Sequence, residues 1–149
     1  MELKSLIREN LVDVDVEVHD WEEAIRAAGK LMVEDGAVEP RFVDAMIRVK
    51  NEFGPYIVVA PGIALPHAKP EDGVIQASIA VIRLKNTVEF GNKDNDPVYL
   101  VVALAAVDNK QHIEGLRQLS GVLGDDNKIA AIKKAETKED LLAIFWGNG

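Results

Sequence analysis

Apolar and polar residues alternate at Val12, Val14, Val16 and Val18, which is the period of a half-buried strand. Residues 3–10 before it read as a short helix. After it the period lengthens. Asp20 with Glu23 three positions on has the form of a capping box, and Ala24, Ala28, Leu31 and Met32 then supply an apolar stripe that Gly36 stops. Pro40 suits the first turn of a second long helix, with Phe42, Ala45, Met46 and Val49 on its inner face and Gly54-Pro55 at its end. Residues 56–60 are a short apolar, β-branched run and predict a strand. Pro61-Gly62 turns the chain, 63–65 resume extended structure, and Pro66 has no amide proton to give a ladder. The runs ASIAVIRL (77–84) and VYLVVALAAV (98–107) predict buried strands, joined by the polar loop NKDND at 92–96. No helix separates them, so they can pair antiparallel. Asp108 or Asn109 caps a helix running to about Leu123, and a shorter helix follows near 127–135. Thr137 with Asp140 opens a last helix through Trp146.

Helices and strands interspersed in this way predict an α/β fold, a single domain over 1–149 with a central mixed β-sheet flanked by helices. A chain of 149 residues with 48% hydrophobic content suffices for one full core. Met1-Glu2-Leu3-Lys4 leads straight into a charged, helix-like segment with no secretory pattern, and the longest apolar runs are much shorter than a bilayer span. The expectation is a cytoplasmic protein without direct membrane insertion. The absence of cysteine removes disulfides, thiolate zinc sites and cysteine nucleophiles together. A net charge of −8, from 17 basic and 25 acidic residues, leaves no basic face for a phosphate backbone, so nucleic acid is not an expected partner. An acidic surface would suit a basic protein partner.

The histidines carry the candidate chemistry. His67 lies just after a predicted strand, with Pro66 immediately before it and Pro70 three residues on. A rigid turn of this kind presents reactive groups, and a neutral imidazole is a nucleophile at one nitrogen when the other donates a hydrogen bond. Gly62 and Ala68 leave space for a partner's backbone to approach. On these residues alone, a surface-loop histidine without a role fits as well. His112 opens the helix after the strand at 98–107. Positions 112, 116, 119 and 123 share one helix face, so His112 continues a leucine stripe at its exposed end, where the macrodipole disfavours the imidazolium. A capping or packing histidine is the alternative. Both histidines follow strands, and ligands collect beyond strand carboxyl ends in open α/β sheets, so the two imidazoles are expected to meet. His19 reads as a strand-end residue. No nucleotide-phosphate cradle, H-E-x-x-H or G-x-S-x-G motif is present, and neither His67 nor His112 has a carboxylate at metal-site spacing. Neither cofactor nor metal is expected. Glu71-Asp72 read as turn residues, with Asp72-Gly73 as the turn signal.

The segment Gly62-Ile63-Ala64-Leu65-Pro66-His67-Ala68 resembles the phosphorylation-site motif of enzyme IIA in the bacterial phosphoenolpyruvate-dependent sugar phosphotransferase system (PTS), mannitol/fructose class. Phe53-Gly54-Pro55-Tyr56-Ile57-Val58-Val59-Ala60 before it and Lys69-Pro70-Glu71-Asp72-Gly73 after it are similar to the ascorbate-type subgroup. Asp94-Asn95-Asp96-Pro97 and the stretch from Leu104 to His112 resemble the same family further downstream. The resemblance implies that His67 is the phosphorylated residue and that His112 helps to hold the phosphoryl group. It implies the phosphocarrier HPr as donor, a cysteine of a IIB component as acceptor, and a membrane IIC component as an indirect partner. An apolar rim of Ile63 and Leu65 around His67 is expected to exclude water during transfer. Mannitol-type members often carry an Arg-Glu pair in the preceding helix, where this chain reads Arg48-Val49-Lys50-Asn51-Glu52. The alternative on the same fold is a regulatory protein whose phosphorylation state controls binding to a target.

Overall fold

The computed structural model describes residues 2–147. Its sheet has five strands, β1 (Val12–Val16), β2 (Val58–Ala60), β3 (Ile63–Ala64), β4 (Ser78–Val88) and β5 (Val98–Ala105). Their order is β1-β4-β5-β3-β2. β4 and β5 run antiparallel through the centre, with Ser78 opposite Ala105 and Val81 opposite Val102. β1 adds to β4 in parallel and β3 adds to β5 in parallel, so the sheet is mixed as expected. β2 closes the far edge by an antiparallel hairpin to β3.

Helices cover both faces. Helices α2 (Trp21–Glu34) and α3 (Pro40–Phe53) cover one; α1 (Leu3–Leu6), α4 (Asn109–Leu123), α5 (Asp126–Lys134) and α6 (Lys138–Trp146) cover the other. The anticipated single core is therefore two apolar layers divided by the sheet. Val101 and Ala103 face the α2/α3 layer with Met32, Phe42 and Met46. Leu100, Val102 and Leu104 face the other with Leu119, Ile132 and Leu141. Burial on both faces is why β4 and β5 read as continuous apolar runs rather than alternating ones.

The helix ends follow local chemistry. The Asp20 carboxylate accepts from the Glu23 amide at 2.9 Å, but the Glu23 carboxylate turns to His19, leaving that capping box half formed. Around Thr137 and Asp140 both halves are present. The first predicted helix is shorter than 3–10: α1 ends at Leu6, and a 3-10 turn at Glu9–Leu11 precedes β1. The strand predicted from Tyr56 starts only at Val58. Gly54, at φ +71°, ends α3, and Pro55 then opens a 3-10 turn over Gly54–Ile57 that holds Tyr56 in solvent.

Pro61-Gly62 joins β2 to β3. Gly62 has φ +77°, and a Cβ built on it would lie 2.4 Å from the Tyr99 ring. The space at Gly62 is thus filled from within the fold, not left for a partner. Its carbonyl also accepts from the amides of Tyr99 and Leu100, which locks β3 onto β5. Gly62→Ala combines backbone strain with a clash against a bulky ring, and we expect it to lower unfolding free energy by about 2–4 kcal/mol in chemical denaturation. A loss below about 0.5 kcal/mol, the range of neutral surface changes, would contradict this account.

Candidate active site

Parallel pairing of β3 and β5 puts their carboxyl ends at the same edge, and His67 and His112 follow those two ends. The backbone before His67 is pinned on both sides. The Leu65 amide donates to the Ile57 carbonyl at 2.7 Å, and the Leu104 amide donates to the Pro66 carbonyl at 3.0 Å. His67 itself pairs with Leu104 as a single parallel bridge. Beyond it, Pro70–Asp72 form a 3-10 turn. The Lys69 amide donates to the Asp72 carboxylate at 3.0 Å, and the Asp72 amide donates to the Lys69 carbonyl at 2.9 Å. Gly73, at φ +120°, completes the turn expected at Asp72-Gly73.

The His67 ring is half-buried, and its Nδ1 lies 2.9 Å from the Leu65 carbonyl oxygen. A carbonyl only accepts, so Nδ1 carries the proton and the lone pair sits on Nε2. His112 is placed by α4, whose first turn is capped by the Asp108 carboxylate accepting from the Gln111 amide at 2.8 Å. The two rings stand 5.5 Å apart, centroid to centroid, at 59°. The inward stripe of α4 centres on Gly115, Leu119 and Val122, with Leu116 and Leu123 packed partly buried beside it. Gly115 lets the helix settle close against Leu104, rotating His112 to the edge of the stripe, where it is half-buried. Burial first, and the neighbouring His67 second, hold His112 below the ordinary imidazole value of 6.5.

Both imidazoles line one groove of about 490 Å³. Ala68, Lys69 and Pro70 form one wall, Asn109 stands beside His112, and Val49, Phe53, Tyr56 and Ile57 form the apolar remainder. The rim is not Ile63 and Leu65. Both are buried, because β3 is covered on its two faces. Its exposed apolar side chains are instead Phe53 and Tyr56, with Ile113 next to His112 in the chain. Two aromatics flanking a Gly-Pro turn were the available signal for this surface. Arg48 does not line the groove; its guanidinium lies 3.4 Å from the Asp72 carboxylate. His19 sits apart on the far edge, 3.0 Å from Glu23. The arrangement supplies a nucleophilic nitrogen with fixed tautomer, a second neutral imidazole beside it, and the N-terminus of a long helix, which favours an incoming anion.

Residues 5–146 match the family described as "Phosphoenolpyruvate-dependent sugar phosphotransferase system, EIIA 2". The chain belongs to this EIIA family. It is a phosphotransferase relay protein of that system, and its fold is the one solved for mannitol-type IIA proteins. The ascorbate-specific PTS EIIA component of Escherichia coli (strain K12) is 35% identical over 147 residues, covering 97% of this chain and 96% of that one. The mannitol-specific cryptic phosphotransferase enzyme IIA CmtB from Escherichia coli superposes with a TM-score of 0.89 at 28% identity, over 99% of each chain. Enzyme IIAMTL in its complex with phosphorylated enzyme IIBMTL, also from Escherichia coli, gives 0.83 at 27% identity, over 95% of this EIIA chain and 99% of that one. Among the described residues of this EIIA protein, no helix is long and apolar enough to cross a membrane.

The depressed His112 value has a measurable sign. The unfolded chain binds this proton more readily than the fold, so His112 costs stability as pH drops below about 6.5 and nothing above it. In NMR titration of the folded protein its midpoint should fall below 6.5, and in His67→Ala it should rise, since that change removes both a neighbouring charge and some burial. A midpoint at or above 6.5 in the native protein would refute the assignment.

Proposed function

We propose that His67 accepts a phosphoryl group from the phosphohistidine carrier protein HPr and passes it to a cysteine of a IIB component, for uptake of an ascorbate-type substrate in the cytoplasm. The single observation that carries this reading is the hydrogen bond from His67 Nδ1 to the Leu65 carbonyl, which leaves Nε2 free beside a second, neutral histidine. In the first transfer the N–P bond of the donor breaks, its electron pair stays on the donor nitrogen, and the Nε2 lone pair forms the new N–P bond. The proton stays on His67 Nδ1, hydrogen-bonded to the Leu65 carbonyl. In the second, a IIB thiolate attacks phosphorus, the S–P bond forms, and the N–P pair returns to Nε2. Phosphoryl transfer depends mostly on positioning and charge stabilisation. The pinned backbone provides the first. The neutral His112 provides part of the second by donating to a phosphoryl oxygen.

Docking fits the apolar side chains beside the groove. Phe53, Tyr56 and Ile113 can exclude water over the phosphoryl group, and a small, transient interface permits release after each transfer. The relative in complex with a phosphorylated IIB protein supports a IIB acceptor, and the ascorbate-specific relative supports the subgroup over a regulatory role.

Incubation with phosphoenolpyruvate, enzyme I and HPr tests the reading. We expect the phosphate to map to His67 and to be absent from a folded His67→Ala variant. His112→Ala should still be phosphorylated, with both transfers slowed by about 10²–10³. Phosphate retained at full level in His67→Ala would overturn the assignment, and wild-type rates in His112→Ala would return that residue to a packing role. Labelled phosphoprotein should then discharge rapidly to an ascorbate-type IIB and not to that IIB with its cysteine changed to serine. Discharge only to mannitol- or fructose-type IIB would move the protein to another subgroup, and discharge to none would favour the regulatory alternative.

A further inference from the structure

We infer that the ammonium group of Lys69 pairs with the phosphoryl group while it is carried on His67. The inference rests on His67 being the phosphorylated residue and adds a charged contact to the site. Lys69 is the one cation among the residues lining the groove. His67 and Lys69 are two apart, and Lys69 has extended backbone at φ −80°, ψ 153°, the spacing that turns alternate side chains to the same side. The Lys69 main chain is held at both its amide and its carbonyl by Asp72, so the long side chain swings from a fixed root.

The ammonium also has no competing partner. Among the described residues Lys69 makes no ion pair, and the Asp72 carboxylate of the same turn is engaged by the Lys69 amide and by Arg48. The other nearby guanidinium, Arg41, is taken up by Glu39 and by the Glu71 carbonyl. A phosphoryl group brings a charge of about −1.5 to −2 into a groove where the fold resists a positive charge on His112. The protein as a whole carries −8, so an unpaired cation on the wall is the available compensation. Its partner arrives only with the phosphoryl group. The attraction is therefore absent from the resting protein and present during transfer, which is the condition for an effect on rate. Lysine serves here as a mobile point charge rather than a rigid fork.

Lys69→Ala, Lys69→Gln and Lys69→Arg, compared with the native protein, test the contact. Two readouts are needed: the rate of phosphorylation by phospho-HPr, and the phosphorus-31 titration of the isolated phosphoprotein. A side chain this exposed should contribute less than a buried donor, so Lys69→Ala and Lys69→Gln should slow transfer by roughly 10- to 100-fold, with Lys69→Arg recovering most of the loss. The rate deficit should shrink at high salt, where screening weakens the native contact. The phosphoryl titration should move to higher pH in the Ala and Gln variants, because a cation beside the group favours its dianion. Rates within twofold of native, with an unmoved titration, would overturn the inference while leaving phosphorylation of His67 intact. A slower rate with an unmoved titration would also overturn it, making Lys69 a docking residue for HPr. Failure of the native protein to take up phosphate at His67 would remove the proposed function and this contact together.

Discussion

The parallel register of β3 on β5, Ile63 opposite Leu100 and Ala64 opposite Val101, is the constraint on which the site depends. It aligns two strand ends that are far apart in sequence, so the segment after β3 and the helix after β5 leave the sheet side by side. β3 is very short and would not hold that register alone. It is held by the hairpin to β2, by the Gly62 carbonyl bonded to Tyr99 and Leu100, and by the Leu104 amide that reaches past the strand to Pro66. A short strand braced at both ends leaves His67 at the margin of the sheet, anchored yet open to the groove.

An imidazole of fixed tautomer beside one whose protonation the fold resists would be a weak arrangement for binding an anion at rest. That weakness suits a relay, which must take up the phosphoryl group and also give it away. Deep burial with several permanent cations would favour the phosphorylated state too strongly. The groove has a half-buried nucleophile, a half-buried neighbour whose protonation the fold resists, and mostly apolar walls that thin the water around them. Its affinity for charge is concentrated in groups that respond when the phosphoryl group arrives.

Much of this could be read from the chain. The helices were legible because their signals are local: Asp20, Pro40, Asp108 and Thr137 start helices by chemistry within a single turn. The meeting of His67 and His112 followed from the tendency of strand ends to share an edge. Other features were hidden for physical reasons. Continuous apolar runs do not say which face a residue takes, so Ile63 and Leu65 were misplaced on the rim and the two-layered core was read as one. Tyr56 looked like a strand residue because its β-branched neighbours outweighed the turn that Gly54 and Pro55 impose. The centre of the stripe on α4 was shifted because Gly115 carries no hydrophobic signal yet packs against Leu104. The Leu65 oxygen left no trace at all, since a main-chain acceptor is the same at every residue.

A main-chain acceptor governs how such a site tolerates change. The proton on His67 is held by a main-chain atom, so no substitution at position 65 can delete the acceptor. Each alternative amino acid brings an identical carbonyl, and only a shift of the backbone itself would release the tautomer. The side chain at 65 is left to answer solely to the apolar layer in which it is buried. The most delicate electronic requirement of the nucleophile is thus written in the path of the chain rather than in its letters, and drift in sequence can pass over it without disturbing the chemistry.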